Sequence, residues 1–186
     1  KLIYHQNGYL SPKNNNVIDH DIINSVKVFQ NQHDNIGIFV GSGRPWHGLA
    51  DILELFSTKK ECGLIIIGPY KQLNSEQCLQ IKHANSATLE KLFEHCHFGI
   101  SNFRWDLLNI HEGSPLKSRQ YLCNGLPILT TYKDSATDYP ELRSYIFNQK
   151  ENTKAIEEII QHNFSKEEIK DKATKYLSWN SVYKNL

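Results

Sequence analysis

Residues 36–40 read Ile36-Gly37-Ile38-Phe39-Val40, and Gly41 follows them. A run of β-branched and aromatic residues closed by a turn-forming glycine predicts a buried strand. Apolar residues then recur with helical spacing, at Leu49, Ile52, Leu53 and Phe56, which predicts one buried helix face. The regular part of the chain therefore begins with a strand, a loop and a helix.

The same alternation continues towards the carboxyl terminus and predicts βα units around a mostly parallel sheet. Further strands are predicted at residues 64–67, 97–101, 127–131 and 145–147. One helix is predicted from the apolar positions Leu89, Leu92, Phe93 and Cys96, and another from an N-cap at Ser114 and a first residue at Pro115, ending at Gly125. Two polar-faced helices complete the pattern, the second opened by a capping box of Ser165 and Glu168.

Length and charge limit the class of protein. The 186 residues carry 21 Lys and Arg against 20 Asp and Glu, a net charge of +1, so we expect one domain over residues 1–186. Nucleic-acid and anionic-membrane binders carry a basic excess, which this chain lacks. The longest apolar run, residues 64–67, is too short to cross a bilayer, and residues 1–7 contain no apolar stretch of the kind found in signal peptides.

The sulfur-containing residues point to a compartment and to a longer protein. Four cysteines are widely spaced, without a Cys-x-x-Cys pair, which favours a reducing, cytoplasmic compartment. Because the chain has no methionine, we expect Lys1 to be an internal boundary in a larger protein. Residues 13–16 are predicted to form a flexible loop.

Two loops join a predicted strand to a predicted helix and carry the candidate site. The first is Gly41-Ser42-Gly43-Arg44-Pro45-Trp46-His47-Gly48, where backbone amides and a helix N-terminus can meet a phosphate. It matches neither a dinucleotide fingerprint nor a P-loop, because Trp46 replaces a glycine and Leu49-Ala50 replace Lys and Ser/Thr. A purely structural turn is the alternative interpretation.

The second loop is His111-Glu112-Gly113-Ser114-Pro115-Leu116-Lys117. It joins a carboxylate, a helix N-terminus and a lysine, a combination that suits a sugar diphosphate. Glu112 can accept hydrogen bonds from sugar hydroxyls, the amides of residues 113–116 can face phosphate oxygens, and Lys117 adds a point charge. The alternative is a capped helix with surface charges.

Together these segments resemble the nucleotide-sugar-binding half of GT-B glycosyltransferases, in particular the large retaining family that includes bacterial capsule and O-antigen enzymes. The resemblance covers residues 7–179. It is carried by Val40-Gly41-Ser42, by Trp46-His47-Gly48, by the buried strand that ends at Gly68, and most specifically by residues 112–127, in which Glu112 stands eight positions before Gln120 and the helix is followed by Gly125-Leu126-Pro127.

The resemblance implies a Rossmann-like three-layer α/β/α sandwich that forms one half of a GT-B fold. It implies that Glu112 faces the donor sugar and is the catalytic residue, that the amides near Ser114, Pro115 and Leu116 hold the diphosphate, and that position 120 bonds the ribose. Nucleobase contacts are expected from the backbone near residues 80–83. The expected donor-binding residues are Gly41, Ser42, Arg44, His47, Gly113, Ser114, Pro115, Leu116, Lys117 and Gln120.

The sequence departs from the family's pattern at three of these positions. Gln120 stands where the family usually has Glu, and an amide oxygen is a weaker acceptor for ribose hydroxyls than a carboxylate. Ser42 and His47 stand where the family has a phosphate-binding Arg and Lys. Arg44 is then the nearby cation.

The function expected from the resemblance is a retaining, metal-independent transfer of a sugar from a UDP- or GDP-type donor to a cell-surface polysaccharide or lipid-linked acceptor. No cofactor is expected. The partners are the donor, the acceptor glycan and the chain's own N-terminal domain, at the inner face of the cell membrane or in the cytoplasm. This chain alone is expected to bind the donor without turnover. A sugar-nucleotide epimerase half and a non-catalytic nucleotide-binding module are the two alternatives.

Four other signals are weaker. Asp19-His20-Asp21 has the letters of a metal-binding Asp-x-Asp, but we interpret it as a solvated helix start. His95-Cys96-His97 is interpreted as core and surface residues, because consecutive side chains do not converge on one metal ion. The long loop at residues 102–110 is either part of the donor-sugar pocket or a packed surface loop. The serines and threonines follow no nucleophile motif.

Overall fold

The computed structural model describes residues 7–10, 17–73 and 75–184. Eight strands run over Asn35–Val40 (β1), Cys62–Ile67 (β2), Cys78–Ile81 (β3), Phe98–Ile100 (β4), Glu112–Gly113 (β5), Ile128–Thr130 (β6), Lys133–Asp134 (β7) and Ile146–Asn148 (β8). Seven α-helices run over His20–Gln30 (α1), Leu49–Ser57 (α2), Ser86–Phe93 (α3), Leu116–Cys123 (α4), Ala155–Gln161 (α5), Lys166–Leu177 (α6) and Trp179–Lys184 (α7).

Six strands form one sheet in the order β3-β2-β1-β4-β6-β8, and every neighbouring pair is parallel. The two short strands β5 and β7 pair separately, with Glu112 opposite Lys133. The chain moves outward from β1 to β3 on one side and from β4 to β8 on the other. The order therefore reverses between β1 and β4, which is where open α/β sheets bind ligands.

Helices cover both faces of the sheet. The face formed by Ile36, Ile38 and Ile65 packs against α1, α3, α4 and α6. The opposite face, which includes Phe39 and Leu64, packs against α2 and α5. Buried parallel strands are apolar on both sides, so β1 and β2 read as continuous hydrophobic runs. The predicted Rossmann-like three-layer α/β/α fold with a mostly parallel sheet is confirmed.

Several local predictions differ from the structure. Ser114 is not the N-cap of α4: Pro115 occupies that position without a side-chain cap, and the helix begins at Leu116, because the Ser114 hydroxyl is bound elsewhere. Cys96 is buried but lies beyond the end of α3 at Phe93. The strand β3 and the β5–β7 pair were not predicted, and the loop predicted at residues 13–16 lies outside the described residues.

Other predictions are confirmed. Asp19 caps α1 by accepting hydrogen bonds from the amides of Asp21 and Ile22. Ser165 caps α6 by accepting from the amide of Glu168, although the Glu168 carboxylate binds Lys172 and does not complete the capping box. Within the described residues, none of the helices is both long and apolar enough for a bilayer.

Candidate functional site

A cavity of about 580 Å³ opens at the carboxyl ends of β1 and β2, beside the start of α4. Its volume lies within the range of small-molecule sites, about 300–1,000 Å³. The described residues that line it come from these strand ends, from the loop after β3, from the end of β4 and from α4: Val40, Gly41, Ser42, His47, Ile67, Gly68, Pro69, Lys82, His83, Ala84, Asn102, Pro115, Leu116, Lys117 and Gln120. It therefore occupies the point where the strand order reverses.

The hydroxyl of Tyr70 holds the glycine-rich loop in place. It accepts a hydrogen bond from the Gly43 amide at 3.2 Å and lies 3.3 Å from Nδ1 of His47. A Cβ at Gly41 would lie 2.2 Å from this hydroxyl and 2.8 Å from the His47 nitrogen. Only glycine therefore fits at position 41, where the backbone leaves β1 and reaches the cavity.

His47 is a neutral side chain in this site. Burial, and then the nearby charges of Lys117 and Arg44, lower the pKa of His47 to about 4. Its imidazole is 8% exposed and packs edge-on against Phe39. At neutral pH the ring can therefore donate or accept a hydrogen bond with a ligand, but it adds no positive charge to the site.

Tyr121, in the second half of α4, connects this helix to the end of β1. Its hydroxyl accepts a hydrogen bond from the Val40 amide at 3.0 Å. Its ring packs so closely over β4 that a Cβ at Gly99 would come within 2.3 Å of it. The first turn of α4 is thereby held beside the cavity.

The first turn of α4 presents free backbone donors. The first hydrogen bond of the helix runs from the Arg119 amide to the Pro115 carbonyl. The amides of Leu116, Lys117 and Ser118 consequently have no partner within the helix. Such amides and the helix dipole favour an anion at this end.

A buried ion pair supports the loop before α4. Arg119 and Asp134 are both fully buried, and their Nη1 and Oδ1 atoms are 2.5 Å apart. Arg119 also donates to Ser135 at 2.7 Å and, through Nε, to the Ser114 hydroxyl at 3.1 Å. This contact explains why Ser114 does not cap the helix.

Lys117 is the second residue of α4 and one of two lysines in the described cavity lining. Its Nζ is shielded from solvent and has no hydrogen-bond partner among the described residues. It lies 4.7 Å from the centre of the Phe39 ring. Burial lowers the pKa of Lys117 to about 7, so an amine and an ammonium are both populated at neutral pH.

Asn102 is a cavity residue that the sequence interpretation placed only within a long loop. Its side chain is 5% exposed, and its Oδ1 has no hydrogen-bond partner among the described residues. It follows β4 at the reversal of strand order. A polar residue two positions after the end of β4, at the carboxyl edge of the sheet, was the signal that could have identified it.

Glu112 lies outside the lining of the cavity. Its carboxylate accepts a hydrogen bond from Lys133 at 3.0 Å, across the β5–β7 pair. Trp105, from the long loop at residues 102–110, packs against Tyr132 with ring centres 4.4 Å apart and planes tilted by 34°. It covers Gly113 so closely that a Cβ there would come within 2.4 Å of its ring. The loop therefore packs against the strand that carries Glu112.

The structure separates the predicted donor-binding residues into two groups. Those in the cavity lining are Gly41, Ser42, His47, Pro115, Leu116, Lys117 and Gln120. Those outside it are Arg44, Gly113, Ser114 and Glu112. The Arg44 guanidinium is exposed and lies 5.7 Å from the centre of the Trp46 ring. The end of the predicted nucleobase segment, Lys82 and His83, lines the cavity, whereas Gln80 binds the backbone of Tyr70 and Lys71.

In the part of the chain that the structure describes, no three His, Cys, Asp or Glu side chains converge as a metal site. His95 contacts Gln30, and His97 accepts a hydrogen bond from the Ile36 amide. Cys96 between them is buried in the core. This agrees with the interpretation of these three residues as structural.

The chain matches no protein-family model and no curated protein sequence, but its structure is similar to solved structures. Sucrose-phosphate synthase from Thermosynechococcus elongatus superposes with a TM-score of 0.64 at 10% identity, over 90% of this chain and 47% of that one. The E. coli trehalose-6-phosphate protein bound with UDP-2-fluoro glucose gives 0.57 at 13% identity, over 92% and 45%.

A third similar structure is AviGT4, a glycosyltransferase of avilamycin A biosynthesis, with a TM-score of 0.58 at 11% identity, over 86% of this chain and 51% of that one. This chain thus spans about half the length of each of the three. At these identities the similarity establishes the fold: a Rossmann-like half of a GT-B structure.

Proposed function

We propose that this chain is the donor-binding half of a glycosyltransferase and that the cavity beside α4 binds a nucleoside-diphosphate sugar. The observation that carries the proposal is the first turn of α4, with its free amides and Lys117, at the reversal of strand order. Two features of the neighbours support it: one is called a glycosyltransferase, and another is bound with a UDP-sugar analogue.

The electrostatics of the described lining suit a diphosphate. Lys82 and Lys117 supply basic groups and none of the described lining residues is a carboxylate. The amides of α4 supply donors without adding side chains. An anion at the start of α4 would therefore be stabilised both by the lysine side chains and by the helix amides. None of the described lining residues would repel it with a negative charge.

The lining also offers polar groups for the rest of the donor. The Asn102 amide oxygen has no described partner and can accept a hydrogen bond from a hydroxyl after a small rotation. Gln120, one helical turn beyond Lys117, also lines the cavity, and we propose that it bonds the ribose. Within the expected nucleobase segment, residues 80–83, we propose the backbone of Lys82 and His83 as the contact for the base, because these two residues line the cavity.

The finer function is proposed on the sequence resemblance. We propose a retaining, metal-independent transfer from a UDP- or GDP-type donor to a cell-surface polysaccharide or lipid-linked glycan, with Glu112 facing the donor sugar. Helix amides and Lys117 would stabilise the departing diphosphate in place of a metal ion. The acceptor site would lie in a second domain, and the reaction would take place in the cytoplasm or at the inner face of the cell membrane.

A second candidate is a non-catalytic nucleotide-binding module. The observation that favours it is the position of Glu112, which lies outside the cavity lining and is paired with Lys133. In that case the chain would bind the nucleotide without a carboxylate at the sugar.

Calorimetric titration in EDTA with UDP, GDP, ADP and their glucose conjugates tests the proposal. We expect the chain to bind one nucleotide class. A millimolar dissociation constant, about −4 kcal/mol, would be enough to support the proposal, because the chain supplies only half of the cleft. Lys117→Met should weaken it. Lys60→Met removes an exposed lysine just before β2, at the amino ends of the strands and away from the cavity, and should leave the affinity unchanged. Absence of heat with every nucleotide, or equal losses in both variants, would contradict the assignment.

A further inference from the structure

Lys117 occupies an unusual position for a side chain expected to hold phosphate. Lys117 lines the cavity, but its Nζ lies against the Phe39 ring, is shielded from solvent and has no hydrogen-bond partner among the described residues. The adjoining amides of α4 have no partner within the helix, yet the ammonium group is not exposed beside them. The lysine therefore lies where a positive charge has neither solvent nor a carboxylate of the described cavity lining to stabilise it.

The groups around Lys117 do not compensate a positive charge well. Phe39 from β1 offers a cation–π contact. His47 from the glycine loop is neutral, and Tyr70 faces His47 through its hydroxyl. The remaining titratable groups of the described lining are Lys82 and His83, after β3.

The same lysine has the reach to leave this position. Four methylene groups separate its ammonium from the backbone, and Lys117 is the second residue of α4. Rotation of the stem can bring Nζ from the Phe39 ring towards the helix start without moving the backbone. The protonated Nζ of Lys117 and the backbone amides at the start of α4 can then bind the same anion.

We propose that, above neutral pH, Lys117 is held against Phe39 as a neutral amine, and that the diphosphate of a nucleotide binds its ammonium form with uptake of up to one proton. The inference rests on the proposed function for the identity of its ligand. The proton comes from solvent and forms a bond to Nζ, and no other bond forms or breaks. The charge gained by the protein offsets one charge of the diphosphate.

The lowered pKa of Lys117, about 7, gives the direction of the pH dependence. A bound anion raises this pKa, because it stabilises the charged form. Below pH 7 most of the lysine is already protonated, so each binding event takes up much less than one proton. Above pH 7 binding takes up nearly one proton, so affinity should fall about tenfold per pH unit until the pKa of the complex is reached.

The experiment is a pH titration of the 186-residue chain labelled with ¹³C at the lysine Cε, followed by NMR. The Lys117 resonance is assigned by its loss in Lys117→Met. In the free chain we expect its midpoint near pH 7, against about 10.4 for an unperturbed lysine. Saturating UDP-glucose should raise the midpoint by at least about one unit. A free midpoint near 10, or a midpoint that the bound ligand leaves unchanged, would overturn the inference.

Two comparisons separate this inference from the proposed function. Lys82→Met removes a basic group from the same cavity and should leave the proton uptake at about pH 8 unchanged, whereas Lys117→Arg should bind without uptake, because arginine stays charged. Nucleotide binding with no shift of Lys117 refutes only the inference. If no nucleotide binds, the proposed function fails. Inorganic pyrophosphate then decides the inference: a raised midpoint supports an anion-recruited lysine, and an unchanged one overturns it.

Discussion

Arg119→Met is expected to destabilise the fold by about 3 kcal/mol. Removing one partner of a buried ion pair costs about 3–5 kcal/mol, because the remaining charge is left without compensation in the interior. Asp134 would keep hydrogen bonds from the Ala136 amide at 2.9 Å and the Tyr132 hydroxyl at 3.3 Å, which places the loss near the lower end. For a chain of this length that corresponds to a fall in Tm of about 6–12 °C.

Urea unfolding followed by circular dichroism measures this effect. Arg143→Met is the matched control, since Arg143 is exposed and should change the free energy of unfolding by less than about 0.5 kcal/mol. The double variant Arg119→Met/Asp134→Asn should be more stable than Arg119→Met alone, because the unpaired charge is gone. A loss below about 1 kcal/mol in Arg119→Met, or a double variant that is less stable than it, would refute the reasoning.

Three further predictions concern the site. In an enzyme that contains both halves, Glu112→Gln should lower kcat far more than donor affinity, since contacts beside the reacting carbon strengthen in the transition state; steady-state kinetics showing a change in KM alone would exclude that role. Gln120→Glu should strengthen nucleotide binding several-fold in titrations at fixed ionic strength, because a charged acceptor contributes about 1.5–3 kcal/mol against about 1 for a neutral one; unchanged affinity would mean that position 120 does not reach the ribose. The pKa of His47 is about 4 in the folded chain and near 6.5 in the unfolded chain, so the free energy of unfolding should fall as the pH drops from about 6.5 to 4. Urea unfolding at several pH values should show a smaller dependence of this free energy on pH in His47→Gln than in the unmodified chain. An equal pH dependence in both would contradict the lowered pKa of His47.

The βα pattern was predictable where strands are buried on both faces. In β2 all six residues are buried, and such a strand leaves a continuous apolar run in the sequence. The strand β3 left no such signal, because it lies at the sheet edge and three of its four residues are only partly buried. The pair β5 and β7 was too short to be recognised, at two residues each.

The site was predictable in its location but not in its contacts. Loops that join strand to helix give the place, because parallel strands bring their carboxyl ends to one edge. The burial of Lys117 depends on Phe39, which is distant in the sequence. Ser114 does not cap α4 because its hydroxyl accepts a hydrogen bond from Arg119. Arg119 is in turn held in the interior by the carboxylate of Asp134 on β7. Contacts of this kind leave no periodicity in the sequence.

The hydroxyl of Tyr121 has a consequence for the energetics of binding. The Val40 amide donates to this hydroxyl at the carboxyl end of β1, so a core side chain sets the spacing between β1 and α4. The backbone donors are thus already oriented before a ligand arrives, and little conformational entropy remains to be lost there. On the proposals made above, the lysine stem would be the main group to become ordered on binding, and affinity would be adjustable at that one side chain while the backbone frame stays fixed.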